Sequence, residues 1–552
     1  MLSRLLAPLQ LGLGSAAGAE AIIHKVQALL ESRADHVLLS LDFVNGFNSM
    51  FRHTMLARLY DLPELSDLWR LADFCYGAPS PLHLFGREGP VTTLISQRGA
   101  RQGCVLGTLL FCLGLQPALE AAAQGLTKLS VSAYVDDVVA VGPIDQAATF
   151  FDRLSSLSPD LGLSLSLPKS SLLWPSSESP PGPICSWATT HSIPLLLGAA
   201  PLLGSIVGFD TARRQRFAAE RVRSHEPFFQ ALRHPLLSTQ AAFLLLRVCA
   251  LPRLLFTCRT LPPRLSLTAC SSFDQLALRT AATILRLDPL SIPREVRVQM
   301  SLPLRLGGMG LRSMVATAPA AFLGSLAAAA PYLLSPHLQA STPLFADLEY
   351  ALSLVRELPG LSLPPATAFL PLAAQNPPRA LQRAISHAGS TSLLRSLLQS
   401  LPSLLPPLLS LQQPGASAWL SAVPTRPELV LPDDDFRLAA RLRLQLFPAS
   451  PPISTCRCGP NLPLDHSLTC YRLKRLSVTT RHGTLLYLLV TFLRDAGLQP
   501  VPEARSEDGK RPDLRLSLDG HQFFLISQSL IPRSPPPSSF AFPRARLAPP
   551  SA

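Results

Sequence analysis

Acidic residues are scarce in this chain: 36 Asp and Glu face 49 Lys and Arg across 552 residues, leaving a net charge of +13 and a pI near 9.6. The deficit favours a polyanionic partner or an anionic surface, with nucleic acid the leading candidate. Cysteine is not concentrated: the ten residues are scattered, which excludes a small secreted domain built on disulfides. Free thiols, a metal site and a reducing compartment are expected instead. Uninterrupted apolar length is missing as well. The best candidate span, "VATAPAAFLGSLAAAAPYLL" from 315, is broken by Pro319 and Pro331 and reads as helices packed in a core, so neither a transmembrane span nor a membrane partner is expected. The first thirty residues hold no acid before Glu20, but Pro8 and several glycines break their apolar stretch, and no small-residue cleavage site closes it.

What is there is long enough for several domains. From 20 to 180 helical stretches alternate with short β-rich runs: a helix near 18–31, a strand in "HVLLSLDF", a helix over about 49–59, and a hairpin of "LSVSAY" and "VVAVG". This is an α+β pattern. "PSSESPPGP" at 175–183 is a loop by composition, and residues 211–300 read as helices rich in Arg and Leu. "LPLRLGGMGLRS" at 302–313 inserts a glycine turn. From about 355 to 435 the chain is rich in Leu, Pro and Ser, as in "LPSLLPPLLSLQQP", where prolines should keep helices short and the segment should separate two functional halves. The last twenty residues read as a disordered tail.

The hairpin tip poses the chemical question. In "SAYVDDVVAVG" two adjacent aspartates, Asp136 and Asp137, sit between apolar β-branched runs. Asp-Asp is ordinary turn chemistry, but ionised carboxylates are rarely buried without a partner or a cation. A third acid, Asp42, ends the β-rich run of "LLSLDFVNGFNSMFRHTML" just before a helix. Acids on neighbouring strands can share two Mg²⁺ ions about 4 Å apart, the geometry of in-line phosphoryl transfer.

"LDFVNGFN", "RQGCVLGTLLF", "AYVDD", "LGLSLSLPK" and "LGSIVG", in this order, resemble the palm motifs of reverse transcriptases of non-LTR retrotransposons. The resemblance covers roughly the first two hundred residues. It implies a right-hand polymerase palm, an antiparallel sheet with packed helices, followed by a helical thumb. Asp42, Asp136 and Asp137 would be the metal site, with Tyr134 beside them; Lys169 would protonate departing pyrophosphate; Phe47 would exclude a ribonucleotide 2′-hydroxyl. Read by themselves, Phe47 also suits a helix core face and Lys169 a solvated surface. Gly103 permits close backbone approach to template or nucleotide, and Gln102 supplies a donor and an acceptor. Relatives carry Pro where Val105 and Thr108 stand, so this loop is expected to be less rigid. The segment before the palm resembles the late fingers motif, with only Arg4 near the zone where relatives grip the triphosphate, and an N-terminally truncated element is expected.

Farther on, "CRCGPNLPLDHSLTC" sets Cys456, Cys458, His466 and Cys470 in a pattern able to hold one structural Zn²⁺. With "TTRHGTLL" and "VPEARSEDGKRPDLRLSLDGHQFFLIS" after it, the order resembles the zinc knuckle and small α/β restriction-like endonuclease of site-specific non-LTR elements. Arg481, His482, Glu503 and Asp513 match that nuclease, but Ser527 stands where a second acid is expected. A hydroxyl is a poor Mg²⁺ ligand beside a carboxylate, so nicking should be crippled.

The expected organisation is therefore 1–210 fingers remnant and palm, 211–350 helical thumb-like region, 351–440 Pro/Leu-rich linker, 441–480 zinc knuckle, 481–532 nuclease remnant and 533–552 tail. The resemblance implies an RNA-directed DNA polymerase acting in the nucleus on template RNA, a nicked target DNA or DNA primer, and deoxynucleoside triphosphates. A non-catalytic remnant that only binds nucleic acid is the competing reading. An RNA replicase is opposed by Phe47 and "YVDD".

Overall fold

The computed structural model describes residues 2–87, 89–333, 342–376 and 380–446, and beyond them 486–487, 489–494, 497–502, 514–518 and 521–525. The chain divides into two compact units, Met1–Ala440 and Arg441–Ala552. The architecture is α+β.

In chain order the strands of the first unit are β1 (Val37–Leu41), β2 (Ser80–Gly86), β3 (Gly89–Ser96), β4 (Ser130–Tyr134), β5 (Asp137–Gly142), β6 (Ser171–Trp174), β7 (Leu195–Leu197), β8 (Ala199–Leu202) and β9 (Ser205–Gly208). Five of them form one sheet in the spatial order β4-β5-β1-β6-β7, while β2 with β3 and β8 with β9 form separate hairpins. Within the large sheet all neighbours are antiparallel except β6 and β7. Outside the strands, Leu11 N donates to the Ala133 carbonyl and Ala133 N to that of Leu9, so residues 9–11 line the free edge of β4.

The central strands read as unbroken apolar runs because both of their faces are covered. Successive side chains alternate sides. Val37, Leu39 and Leu41 of β1, with Val138 and Ala140 of β5, enter one core with Phe111 and Phe150 from the helices Gly107–Ala123 and Ile144–Leu157. Leu38, Val139 and Val141 enter a second core with Ile22 and Val26 of the helix Gly18–Ser32 and Phe322 of Met314–Leu333. A one-residue slip would exchange these two sets, so the register is strongly specified.

The helices Thr211–Ala231 and Pro263–Leu285 pack on each other, with Phe229 and Phe273 edge to face at 5.3 Å. Residues Met314–Leu333 form one helix that runs through Pro319 and Pro331 rather than the interrupted helices expected. By length and composition that helix and Thr239–Thr260 could each cross a membrane, but two-thirds of Met314–Leu333 is buried inside the unit, where its apolar residues form core.

The expected linker over 351–440 is a correction. Its residues build helices, including Ala366–Gln375 and the twenty-residue Leu381–Ser400, and Phe369, Leu370 and Ile385 enter the second core. Several prolines sit at helix starts, where the missing N–H costs nothing: Pro365 is an N-cap and Pro402 opens a turn. Gln240 fastens the end of the segment, donating to the carbonyls of Ala422 and Leu429 while its own oxygen accepts from Leu431 N.

In the second unit β10 (Val501–Pro502), β11 (Leu514–Leu518) and β12 (His521–Leu525) form an antiparallel sheet in that order. Cys456, Cys458, His466, Cys470, Arg481, His482, Glu503, Asp513 and Ser527 lie outside the described residues.

Candidate active site

The site is built where β1, β4 and β5 end together. Tyr134 pairs with Asp137 across the hairpin, and Leu41 pairs with Val138 across β1 and β5. The paired register ends at Leu41 and Val138; Asp42 is the residue after the one and Asp137 the residue before the other, with the parity of Ser40 and Val139. Asp136 occupies the turn, and its Cβ lies 3.8 Å from where a side chain on Gly46 would begin. The electrostatics agree with this grouping. The Asp137 carboxyl is pushed above the ordinary carboxylate range by burial, then by the charges of Asp136 and Asp42. The Cys112 thiol is pushed up to about 12 by burial, with Asp136 adding to it.

Asp42 is held by its backbone. Its carbonyl accepts from Ser166 N at 2.7 Å and its N–H donates to Ser170 Oγ at 3.2 Å, while that hydroxyl donates to the Ser166 carbonyl at 2.8 Å. The exposed Lys169 therefore belongs to the loop that anchors Asp42. Sequence reasoning found the lysine and missed the two serines, which look like ordinary loop residues in "SLSLPKSS".

Phe47 follows on the short helix Gly46–Ser49 and lies half-buried against Phe111, so one ring face is used in packing. The loop bearing Gln102 and Gly103 docks on this helix: Ala100 N donates to the Phe47 carbonyl at 2.7 Å and Gly99 N to that of Met50 at 2.8 Å. Gly99 has no room for a side chain, since a Cβ would meet Asn48 Cα at 2.3 Å. Gly103 is different: it has open space around it but a φ of 84°, so conformation selects glycine there. Gln102 is exposed.

Arg52, not singled out from sequence, fixes the base of this loop. It is buried and has no carboxylate partner among the described ion pairs. Instead its guanidinium donates to the carbonyls of Gly99 and Ser96 and to the Ser96 hydroxyl, and it lies over the Tyr76 ring. Arg101 covers the same ring and donates to the Cys75 carbonyl.

Among the described residues no three of His, Cys, Asp and Glu converge closely enough to form a ready-made ion site. The donor chemistry, carboxylate oxygens at one strand end, fits a hard divalent cation.

No protein-family profile matches the chain. Over 299 residues, 53% of this chain and 24% of the relative, it is 25% identical to the retrotransposable element SLACS 132 kDa protein of Trypanosoma brucei gambiense. The chain thus spans about a quarter of that relative's length and is related to a retrotransposon protein over about half of its own. Solved structures with some likeness include telomerase from Candida albicans (10% identity, TM-score 0.33, 63% of this chain and 52% of that one). Telomerase from Candida tropicalis is another (11% identity, TM-score 0.29, 61% and 52%).

Proposed function

We propose that the chain is an RNA-directed DNA polymerase of a non-LTR retrotransposon, adding deoxynucleotides to a DNA 3′ end on an RNA template. The observation that supports the reading is that β1 and β5 bring Asp42 and Asp137 to the same end of the sheet, with Asp136 in the adjoining turn and the charges of Asp136 and Asp42 acting on Asp137. Kinship with a retrotransposon protein supports it. The three aspartates would hold two Mg²⁺ ions. Bound there, Mg²⁺ lowers the pKa of a primer 3′-hydroxyl and offsets charge on the leaving pyrophosphate. Lys169, on the loop that anchors Asp42, is the proton donor for that pyrophosphate. Phe47, braced by Phe111, excludes a 2′-hydroxyl; Gln102 and Gly103 approach template or nucleotide, and Tyr134 flanks the acids. Template RNA, primer or target DNA and deoxynucleoside triphosphates are the partners, and the nucleus is the site of action.

Primer extension on an RNA template with Mg²⁺ tests this, with Asp136→Ala as the control. Extension by wild type and none by the variant is expected; an inert wild type would favour the remnant that only binds nucleic acid. That second reading draws on Ser527, which stands where the resemblance places an acid. For the second unit, the proposal is a structural Zn²⁺ on Cys456, Cys458, His466 and Cys470. Arg481, His482, Glu503 and Asp513 would belong to a nuclease disabled by Ser527. Plasmid nicking that persists in wild type and vanishes in Asp513→Ala would overturn the inactivity.

A further inference from the structure

The turn that carries Asp136 is held by a residue 125 positions away in sequence. Val135 has a φ of 61°, in the left-handed region that a β-branched side chain rarely enters. Left to itself, this residue would favour an extended or right-handed backbone, and the direction of the next side chain would change with it. Strain of this kind persists only where the surroundings over-determine it.

Gln10 supplies that constraint. It is completely buried, and its carboxamide meets both polar groups of Val135: Oε1 accepts from Val135 N at 2.8 Å, and Nε2 donates to the Val135 carbonyl at 2.9 Å. The same Oε1 accepts from Gly12 N at 3.0 Å. A primary amide offers a donor and an acceptor side by side, which matches one residue's N–H and C=O; a carboxylate or thioether of the same shape does not. The clamp is itself anchored, since Leu9 and Leu11 bond to Ala133 on both sides of Gln10. Nor is there slack beside it, because a Cβ on Gly12 would come within 2.6 Å of Val135 N.

We propose that Gln10 is a positioning residue that holds Val135 in the left-handed conformation and thereby aims Asp136 toward Gly46 and the Asp42–Asp137 pair. The backbone clamp stands on the hydrogen bonds alone; its consequence for catalysis rests on the polymerase reading. The residues before the palm then have a role in the acid-bearing turn itself.

The test uses the full chain with Gln10→Met, Gln10→Glu, Val135→Gly and the double variant Gln10→Met/Val135→Gly. Three readouts are followed: amide exchange of the 133–138 segment, Mn²⁺ binding by electron paramagnetic resonance, and primer extension. Losing both bonds in Gln10→Met should speed exchange at Val135 and weaken Mn²⁺ binding by about tenfold each, with exchange in Gly107–Ala123 unchanged. The rate kcat should fall with little change in KM for nucleotide. Glycine adopts positive φ freely, so the double variant should recover most of the Mn²⁺ affinity, which a general loss of packing would not allow. Should Gln10→Met not fold, Gln10→Glu decides when followed to alkaline pH: once ionised it keeps the acceptor for Val135 N and loses the donor, so exchange at Val135 should quicken and Mn²⁺ affinity fall below that of wild type at the same pH. Unaltered exchange and affinity in the folded Gln10 variants, or no recovery with Val135→Gly, overturns the proposal. A wild type that binds no Mn²⁺ and extends no primer sinks the polymerase reading instead, and exchange rates still decide the clamp.

Discussion

Phe47 lies flat on Phe111, with ring centroids 4.9 Å apart and planes 13° from parallel. The stack fixes the ring beside the acid-bearing end of the sheet, and an offset aromatic pair of this kind adds about 0.5–1.5 kcal/mol beyond its buried area. Under the proposed function the held ring is what a 2′-hydroxyl would strike. Phe47→Ala should therefore raise incorporation of ribonucleotides relative to deoxynucleotides by about tenfold or more. Competitive primer extension with both triphosphates measures the ratio, and an unchanged ratio would leave Phe47 a packing residue only.

The acids at positions 42, 136 and 137 should serve activity at the expense of stability. Asp137 is already pushed toward its neutral form by burial and by its two neighbours. Asp42→Asn removes one repelling charge and keeps the backbone anchors at Ser166 and Ser170. The variant should melt no lower than wild type while losing primer extension by at least about a hundredfold. A large drop in melting temperature would show that Asp42 is structural.

Arg52 is the reverse case. Its guanidinium is buried among the carbonyls of Gly99 and Ser96, which would be left unpaired by truncation. Arg52→Met should cost about 3 kcal/mol or more, read from urea unfolding. Arg52→Lys should recover little of it, because an ammonium cannot reproduce the planar fork that spans these acceptors. Full recovery by lysine would show that charge alone is what matters here.

His24 sets a pH dependence. The ring is buried against Phe322, 2.9 Å from Ser325 Oγ, and its pKa is lowered to about 3. Burial is the main cause; a hydrogen bond to the Arg259 backbone opposes it, and the charges of Arg259 and Arg214 add to the lowering. The folded chain keeps the ring neutral while the unfolded chain protonates it below its ordinary value of 6.5. Its contribution is therefore intact above that value and is lost as pH falls toward about 3, at up to roughly 1.4 kcal/mol per pH unit. Comparing the pH dependence of unfolding free energy with that of His24→Gln isolates the term; parallel curves would sink it.

Local pattern made much of the sheet legible. The β-branched runs on either side of "YVDD" read as a hairpin, and the structure has β4 and β5 there. The helix expected near 18–31 is Gly18–Ser32, and "HVLLSLDF" contains β1. The β2–β3 hairpin went unread because "PLHLFGREGPVTTLIS" shows no clean alternation. The packed helices of 351–440 were hidden by prolines whose cost depends on whether they fall at a helix start, and composition does not give that position.

The sequence by itself determined the alternation of apolar faces, the presence of a hairpin around the two aspartates, and the residue types gathered at the strand ends, because these depend on neighbours a few positions apart. Only the tertiary structure decided that Asp42 and Asp137 share one end of the sheet, that Ser166 and Ser170 anchor Asp42, and that Gln10 grips Val135. Those pairings join residues separated by 95, 124, 128 and 125 positions. Hydrogen bonds over such separations form only when burial on both faces of the sheet fixes its register, and no local propensity encodes which partner the folded chain will bring.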